Sequence, residues 1–281
     1  GAEVGPLFDR LGVPRGVPAF TEIWADLALF EGRYAEALAG YREAERLAGG
    51  GDLYSHHMAI AAQILAGDCG PAAAQALARI DRVEALGRDA NLDWTYSLAS
   101  QALLCRRAFG PLDGLLDRWR AHSASGHAQA LGLRARARIA AGAQAADIAA
   151  WIEARLADGQ TPEGARLDLL GSLARVSGDA EALRRHAQAA EARSLDGQTP
   201  PSQRTAWAAM ARSLTLRARL LTEPGDGVLA DIAAAVPARA TLRNEGQLAQ
   251  HVTARVHHAE ALAQRGKPAQ ARAVWRAIAQ M

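Results

Sequence analysis

Two histidine doublets are the first residues that invite chemistry, His56-His57 and His257-His258, the second followed by Glu260. Imidazoles with a carboxylate are the usual ligands of zinc, but a zinc site needs three or four ligands converging from short spacings such as HExxH. No HExxH occurs, and the doublets stand 200 residues apart. Packed or partly buried histidines are therefore expected, and no metal or other cofactor. Gly49-Gly50-Gly51-Asp52 has the glycines of a phosphate loop but follows a helical pattern and lacks the Lys-Ser/Thr that would reach the phosphates, so it reads as a turn. No Gly-x-Ser-x-Gly elbow is present, and Asn91 and Asn244 are the only asparagines available to complete a Cys-His-Asn set. A catalytic role is not expected.

Cys69 and Cys105 form no CxxC, and two cysteines in 281 residues suit a reducing compartment, which points to the cytoplasm. Lys+Arg 32 against Asp+Glu 30 leaves a charge of +2, too little for bulk nucleic-acid binding. Lys267 is the sole lysine, so 31 basic residues are arginine. That excess fits bidentate anion recognition, and equally a GC-rich coding sequence, which would also enrich alanine. No run approaches the roughly 20 apolar residues of a membrane helix. The chain opens on Gly-Ala-Glu, without a methionine or a signal peptide, and reads as an excised part of a larger protein.

The elements that must position these residues are helices. Alanine takes 67 positions, aromatic residues only 5%, and that balance favours helix over strand. Seven times a helical pattern stops at a short break and a second one follows. The breaks begin at Gly32, Gly67, Arg107, Gly142, Gly178, Gly225 and Gly266, spaced by 35, 40, 35, 36, 47 and 41 residues. One helix pair per period of this length predicts an all-α solenoid of about seven antiparallel pairs, each burying its apolar face on its neighbours. The division expected is a lead-in over 1–13, pairs one to five over 14–198 and pairs six and seven over 199–281. Linkers are read at 49–51, 87–91, 158–163, 196–201 and 236–244, and the Pro-rich segment 199–201 is a candidate joint.

Within the first period Gly32, Tyr34, Ala37, Tyr41 and Ala44 run as Gly-x-Tyr-x2-Ala-x3-Tyr-x2-Ala. Leu167, Leu170-Gly171, Ala174 and Gly178 in the fifth, and Ala259, Leu262, Gly266, Ala271, Trp275 and Ile278 in the seventh, share that register. The pattern resembles the tetratricopeptide repeat over nearly the whole chain. It is degenerate in pairs two, three, four and six, where Arg107 replaces a glycine and Arg134 and Arg138 take apolar places. The resemblance implies a right-handed superhelix whose first helices line a concave face that holds a peptide or protein.

On that register the face runs from Glu22 and Asp26 through Tyr54, His57, Trp94, Ser97 and Gln101 to Gln129 and Arg136. It continues through Asp168, Ser172 and Arg175 to Arg212, Thr215 and Arg219, ending at Thr253, Glu260 and Gln264. The partner-binding residues expected are Tyr54, His57, Trp94, Gln101, Arg136, Arg175, Arg212 and Arg219, with the tetratricopeptide clamp for a terminal carboxylate absent. Arg212 and Arg219 lie two helical turns apart on one face and suit a partner of acidic character. Trp24, Trp207 and Trp275 are spaced from apolar neighbours as core anchors. Small residues at pair contacts make Ala37 and Gly171 the sites where Leu should overpack a close crossing.

The sequence resembles the Ala/Arg-rich repeat regions of bacterial multidomain transcriptional regulators and signalling ATPases. It implies a non-catalytic sensor or partner-binding region, without direct nucleic-acid contact. The other expectation is a stand-alone assembly scaffold in a secretion or envelope-biogenesis machine.

Overall fold

A computed structural model of the chain describes residues 10, 12, 17–50, 52–85, 92–236 and 245–279. Most of the lead-in over 1–13, the linker 87–91, most of the linker 236–244 and the side chain of Thr253 lie outside the described residues. Among the described residues there are fourteen helices and no strand. They are α1 (Pro18–Phe30), α2 (Tyr34–Leu47), α3 (Leu53–Leu65), α4 (Cys69–Ala85), α5 (Leu92–Cys105), α6 (Phe109–His122), α7 (Ala124–Ala141), α8 (Ala145–Ala157), α9 (Glu163–Val176), α10 (Ala180–Leu195), α11 (Pro201–Thr222), α12 (Gly227–Ala234), α13 (Glu245–Gln264) and α14 (Pro268–Ala279). The number is compatible with seven helix, break, helix periods.

Every expected break separates two helices, and most close in the same way. At the first, Gly32 takes φ +76 and the Arg33 N–H returns to the Ala28 carbonyl at 2.8 Å. Asp68 to Gln63, Ala108 to Leu103 and Lys267 to Leu262 repeat that bond at 2.8, 2.9 and 2.9 Å. This satisfies carbonyls that a helix end leaves open, and it needs one left-handed residue at the turn. Arg107 supplies it at the third break with φ +57, the one non-glycine residue described there with positive φ. The new helices then start on caps: Asp52 accepts from the Tyr54 and Ser55 N–H groups, and Asp179 from those of Glu181 and Ala182.

The chain packs as two compact units, 1–142 and 143–281. Thr199, Pro200 and Pro201 lie inside the second, where Pro201 opens α11. In the first unit each helix from α1 to α7 packs on the next, and α3 also meets α5 as α5 meets α7. In the second, α9 meets α11 in the same alternate fashion.

The core of the first unit centres on Trp119, fully buried and stacked parallel to Tyr96 at 5.8 Å. Its indole Nε1 donates to Asp93 at 2.7 Å, and the Ser123 hydroxyl donates to the same oxygen. Gly126 is glycine because Trp119 fills the place of its side chain: a Cβ there would lie 2.4 Å from the indole and 2.6 Å from the Trp119 carbonyl. Gly40 marks the crossing of α1 and α2, where a Cβ would fall 2.8 Å from Ala25 Cβ. Gly171, expected at such a crossing, meets only the tip of Met210, at 3.6 Å. Ala37 is fully buried, as its register requires. Trp207 is buried beneath Arg193, but Trp275 is not a core anchor, being 41% exposed on α14 while Val274 beside it packs inward.

The two cysteines are bonded to each other, with their Cα atoms 6.1 Å apart. Helix α4 runs away from Cys69 and α5 returns to Cys105, so an antiparallel hairpin brings its open ends together. Disulfides persist where the surroundings are oxidising, so the cysteine argument for a reducing compartment falls.

Candidate functional site

In the first unit α1, α3 and α5 bring Glu22, Asp26, Tyr54, His57 and Trp94 into one neighbourhood. Tyr54 is 39% exposed, and its ring lies 6.2 Å from that of half-buried Trp94. Its hydroxyl donates to Asp26 Oδ1 at 2.9 Å, and the hydroxyl of buried Tyr41 donates to the same oxygen at 2.5 Å. Ser55 Oγ donates to Glu22 at 3.1 Å.

The Glu22 and Asp52 carboxyl groups interact with each other. Burial first, then that interaction and the nearby charges of Asp52 and Asp26, push Glu22 up to about 7. Burial acts on Asp52 in the same sense but is outweighed by bonds from Glu22, Ser55 and Tyr54, which hold it below the usual carboxylate range. Three carboxylates thus lie beside an aromatic pair, and no arginine, lysine or histidine among the described residues forms an ion pair with any of them. Elsewhere most salt bridges bind arginine to carboxylate, as Arg118 binds Glu84 and Asp81.

His57 does not face outward. It is fully buried, stacked under Trp94 at 4.4 Å with Nε2 against Thr95 Oγ1 at 2.8 Å, and it supports the indole from below. Burial, with the charges of Arg79 and His56, lowers it to about 4 and keeps it neutral. His56 lies against Glu45 at 3.0 Å. Among the described residues no three His, Cys, Asp or Glu side chains are placed to hold a metal ion. Gln101 is exposed on α5 and donates to Ser97 one turn back. Arg136 is exposed on α7.

The remaining expected residues belong to the second unit, where most arginines are occupied. Arg175 donates to Glu260 at 2.6 and 3.1 Å, so two residues expected to face a partner face each other. Arg217 lies behind them, giving one N–H to the Arg175 carbonyl and another to Gln264. Arg219 is held by Glu223 at 2.8 and 2.9 Å and by Asp231 at 2.8 Å. Arg212, Thr215 and Arg219 do line one cleft of about 530 Å³, floored by Ala208 and Ala211. Arg212 and Glu191 there form no ion pair among the described residues, while Arg219 is paired with Asp231. Of the arginines expected on this face, Arg175 and Arg219 are thus paired with carboxylates of the fold, whereas Arg212 is not.

Several arginines serve helix ends instead. Arg107 donates to the Ala140 carbonyl in the last turn of α7, and Arg166 to the Leu156 carbonyl in that of α8. Arg217 reaches the end of α9, and Arg265 the Leu220 and Glu223 carbonyls at the end of α11. A cation suits the negative end of the helix dipole, and the planar fork reaches carbonyls that a helix leaves unpaired.

Sequence reasoning missed Asp52 and Tyr41. Asp52 was absorbed into a glycine turn, although Asp before Leu-Tyr-Ser and an apolar run is a helix-start signal. Tyr41 was read as a packing residue, and nothing in the sequence shows that its hydroxyl reaches Asp26. Comparison of the chain with protein-family models, curated proteins and solved structures finds no match.

Proposed function

We propose that this chain is a non-catalytic protein-interaction module of the tetratricopeptide-like kind, its helix pairs stacked as a solenoid. It serves as the sensor or partner-binding region of a larger bacterial regulatory protein. The partner is a peptide or protein segment held where the first helices of the leading pairs present Tyr54 and Trp94. One observation carries the reading: exposed Tyr54 and half-buried Trp94 adjoin the carboxyl groups of Glu22, Asp26 and Asp52, which pair with no cation among the described residues. A segment combining basic and apolar residues complements that patch, by cation–π contact and by charge. It departs from the acidic partner expected from the arginines, of which Arg175 and Arg219 are paired internally.

The test is a peptide-display selection against the 281-residue chain. The reading expects enrichment of basic, aromatic-seeking segments whose affinity falls about thirtyfold on Trp94→Ala, the equivalent of about 2 kcal/mol. Equal affinity of the selected peptides for the parent and a Tyr54→Ala, Trp94→Ala variant, or enrichment of acidic segments, overturns it.

A second reading, an assembly scaffold in a secretion or envelope-biogenesis machine, is favoured by the Cys69–Cys105 disulfide, since cell envelopes are oxidising surroundings.

A further inference from the structure

The disulfide joins the two ends of one hairpin. Cys69 is the first residue of α4 and Cys105 the last of α5, with a separation of 36, so the bond closes α4, the linker and α5 into a covalent ring. That ring carries Trp94, Thr95 and Gln101. Its two sulfurs stand in different surroundings. Cys69 is buried at 3% exposure at a helix start, where free backbone N–H groups favour a thiolate. Cys105 is an exposed residue, followed by exposed Arg106 and Arg107. Arg107 fixes the turn after it, in the left-handed conformation and bonded to the Ala140 carbonyl.

We propose that Cys69–Cys105 is a reversible redox clasp, opened by a dithiol attacking Cys105, that holds α5 in its binding position. The incoming thiolate, drawn by Arg106 and Arg107, forms a bond to Cys105 Sγ. The Cys69–Cys105 bond breaks and Cys69 departs as a thiolate, the better leaving group of the two, then takes a proton from water. The reductant's second thiolate attacks its own mixed-disulfide sulfur and frees Cys105 as a thiol. Two electrons pass to the pair of cysteines, and the reductant ends as a disulfide. Opening the ring releases α5 from α4 at the end where no loop joins them, and Trp94 loses its fixed place above His57.

The consequence for binding rests on the interaction reading above, whereas the clasp itself does not. The experiment uses the 281-residue chain. Thiol alkylation and mass measurement expect no free thiol before treatment and two after dithiothreitol without denaturant. With glutathione as a single-thiol trap, the adduct is expected on Cys105. Reduction, and equally a Cys69→Ala, Cys105→Ala variant, is expected to lower the melting temperature of the first unit by roughly 10 °C. Free thiols in the untreated protein, resistance to dithiothreitol until the chain is denatured, an adduct on Cys69, or unchanged melting each overturn the clasp. Peptides from the display selection should bind the oxidised form at least tenfold more tightly than the reduced one. Equal binding to both overturns the coupling. If no peptide binds either form while the thiol and melting results hold, the interaction reading has failed and the clasp has not.

Discussion

Replacing Gly40 by Ala puts one methyl group into the close crossing of α1 and α2. The new Cβ would stand 2.8 Å from Ala25 Cβ and 3.3 Å from Ala25 Cα, where carbon atoms rest at about 3.5–4.0 Å. Backbone cannot rotate away as a flexible side chain would, so α1 and α2 must part by about 1 Å. A gap of that size costs a quarter to a half of the dispersion energy of each contact across it, and Ala25, Ala28, Ala37 and Tyr41 all lie in that cluster. Overpacking of this kind costs about 1–3 kcal/mol, against a gain of about 1 kcal/mol from the better helix propensity of alanine. Gly171→Ala isolates the second term, because its Cβ meets only the mobile end of Met210 at 3.6 Å. The two variants should therefore move in opposite directions, Gly171→Ala up by as much as about 1 kcal/mol and Gly40→Ala down by about 0–2 kcal/mol. Differential scanning calorimetry of each against the parent reads the difference. A Gly40→Ala protein that melts at or above Gly171→Ala would refute the crossing and the register drawn from it.

Glu22 keeps its proton to about 7 in the fold but to 4.5 in an unfolded chain, so stability falls as pH rises through that window. His57, at about 4 folded and 6.5 unfolded, acts in the opposite sense below 6.5. His257 and His258, also lowered by burial, add to the His57 effect, so the test is the difference: between pH 6.5 and 7.5 the parent's melting temperature should fall relative to that of Glu22→Gln, which carries the same histidines, and parallel curves would remove Glu22 from the patch's electrostatics. Trp119→Phe keeps the stack on Tyr96 and loses the 2.7 Å bond to Asp93, at a cost of about 1–3 kcal/mol by urea unfolding. An unchanged midpoint would show that Asp93 is satisfied by Ser123 alone.

The helices and their breaks were legible because they rest on local physics. At most of the seven breaks a glycine or a left-handed substitute ends the helix, and the period places the next one. Even Arg107, which breaks the pattern, holds the left-handed turn its position demands. Contacts across helices were legible only in part. The register alone puts Tyr54 and Trp94 on first helices, and their rings lie 6.2 Å apart. The depth of His57 was not legible, since doublet position says little about which imidazole turns inward. Nor was the pairing of Arg175 with Glu260, 85 residues apart, or of Arg219 with Asp231. Charge composition records how many arginines there are and nothing about whom they face. Cys69 and Cys105 looked unrelated because no CxxC links them, yet their separation of 36 is about one repeat period, and a period returns the chain to its own neighbour.

The arginines at helix ends have a direction in the second unit. Arg265, in the turn just past α13, holds the end of α11, Arg217 on α11 holds the end of α9, and Arg166 on α9 holds the end of α8. Each helix is latched by one that follows it in the chain, and in this series none by one that precedes it. Loss of α13 would therefore unlatch α11, then α9, then α8, whereas loss of α8 would leave every later latch intact. Stepwise truncation should thus be asymmetric, with helices removed from the α13 side lowering the protection of what remains far more than helices removed from the α8 side. The latches thus predict that unfolding of the unit is polar, starting from the side where they are supplied.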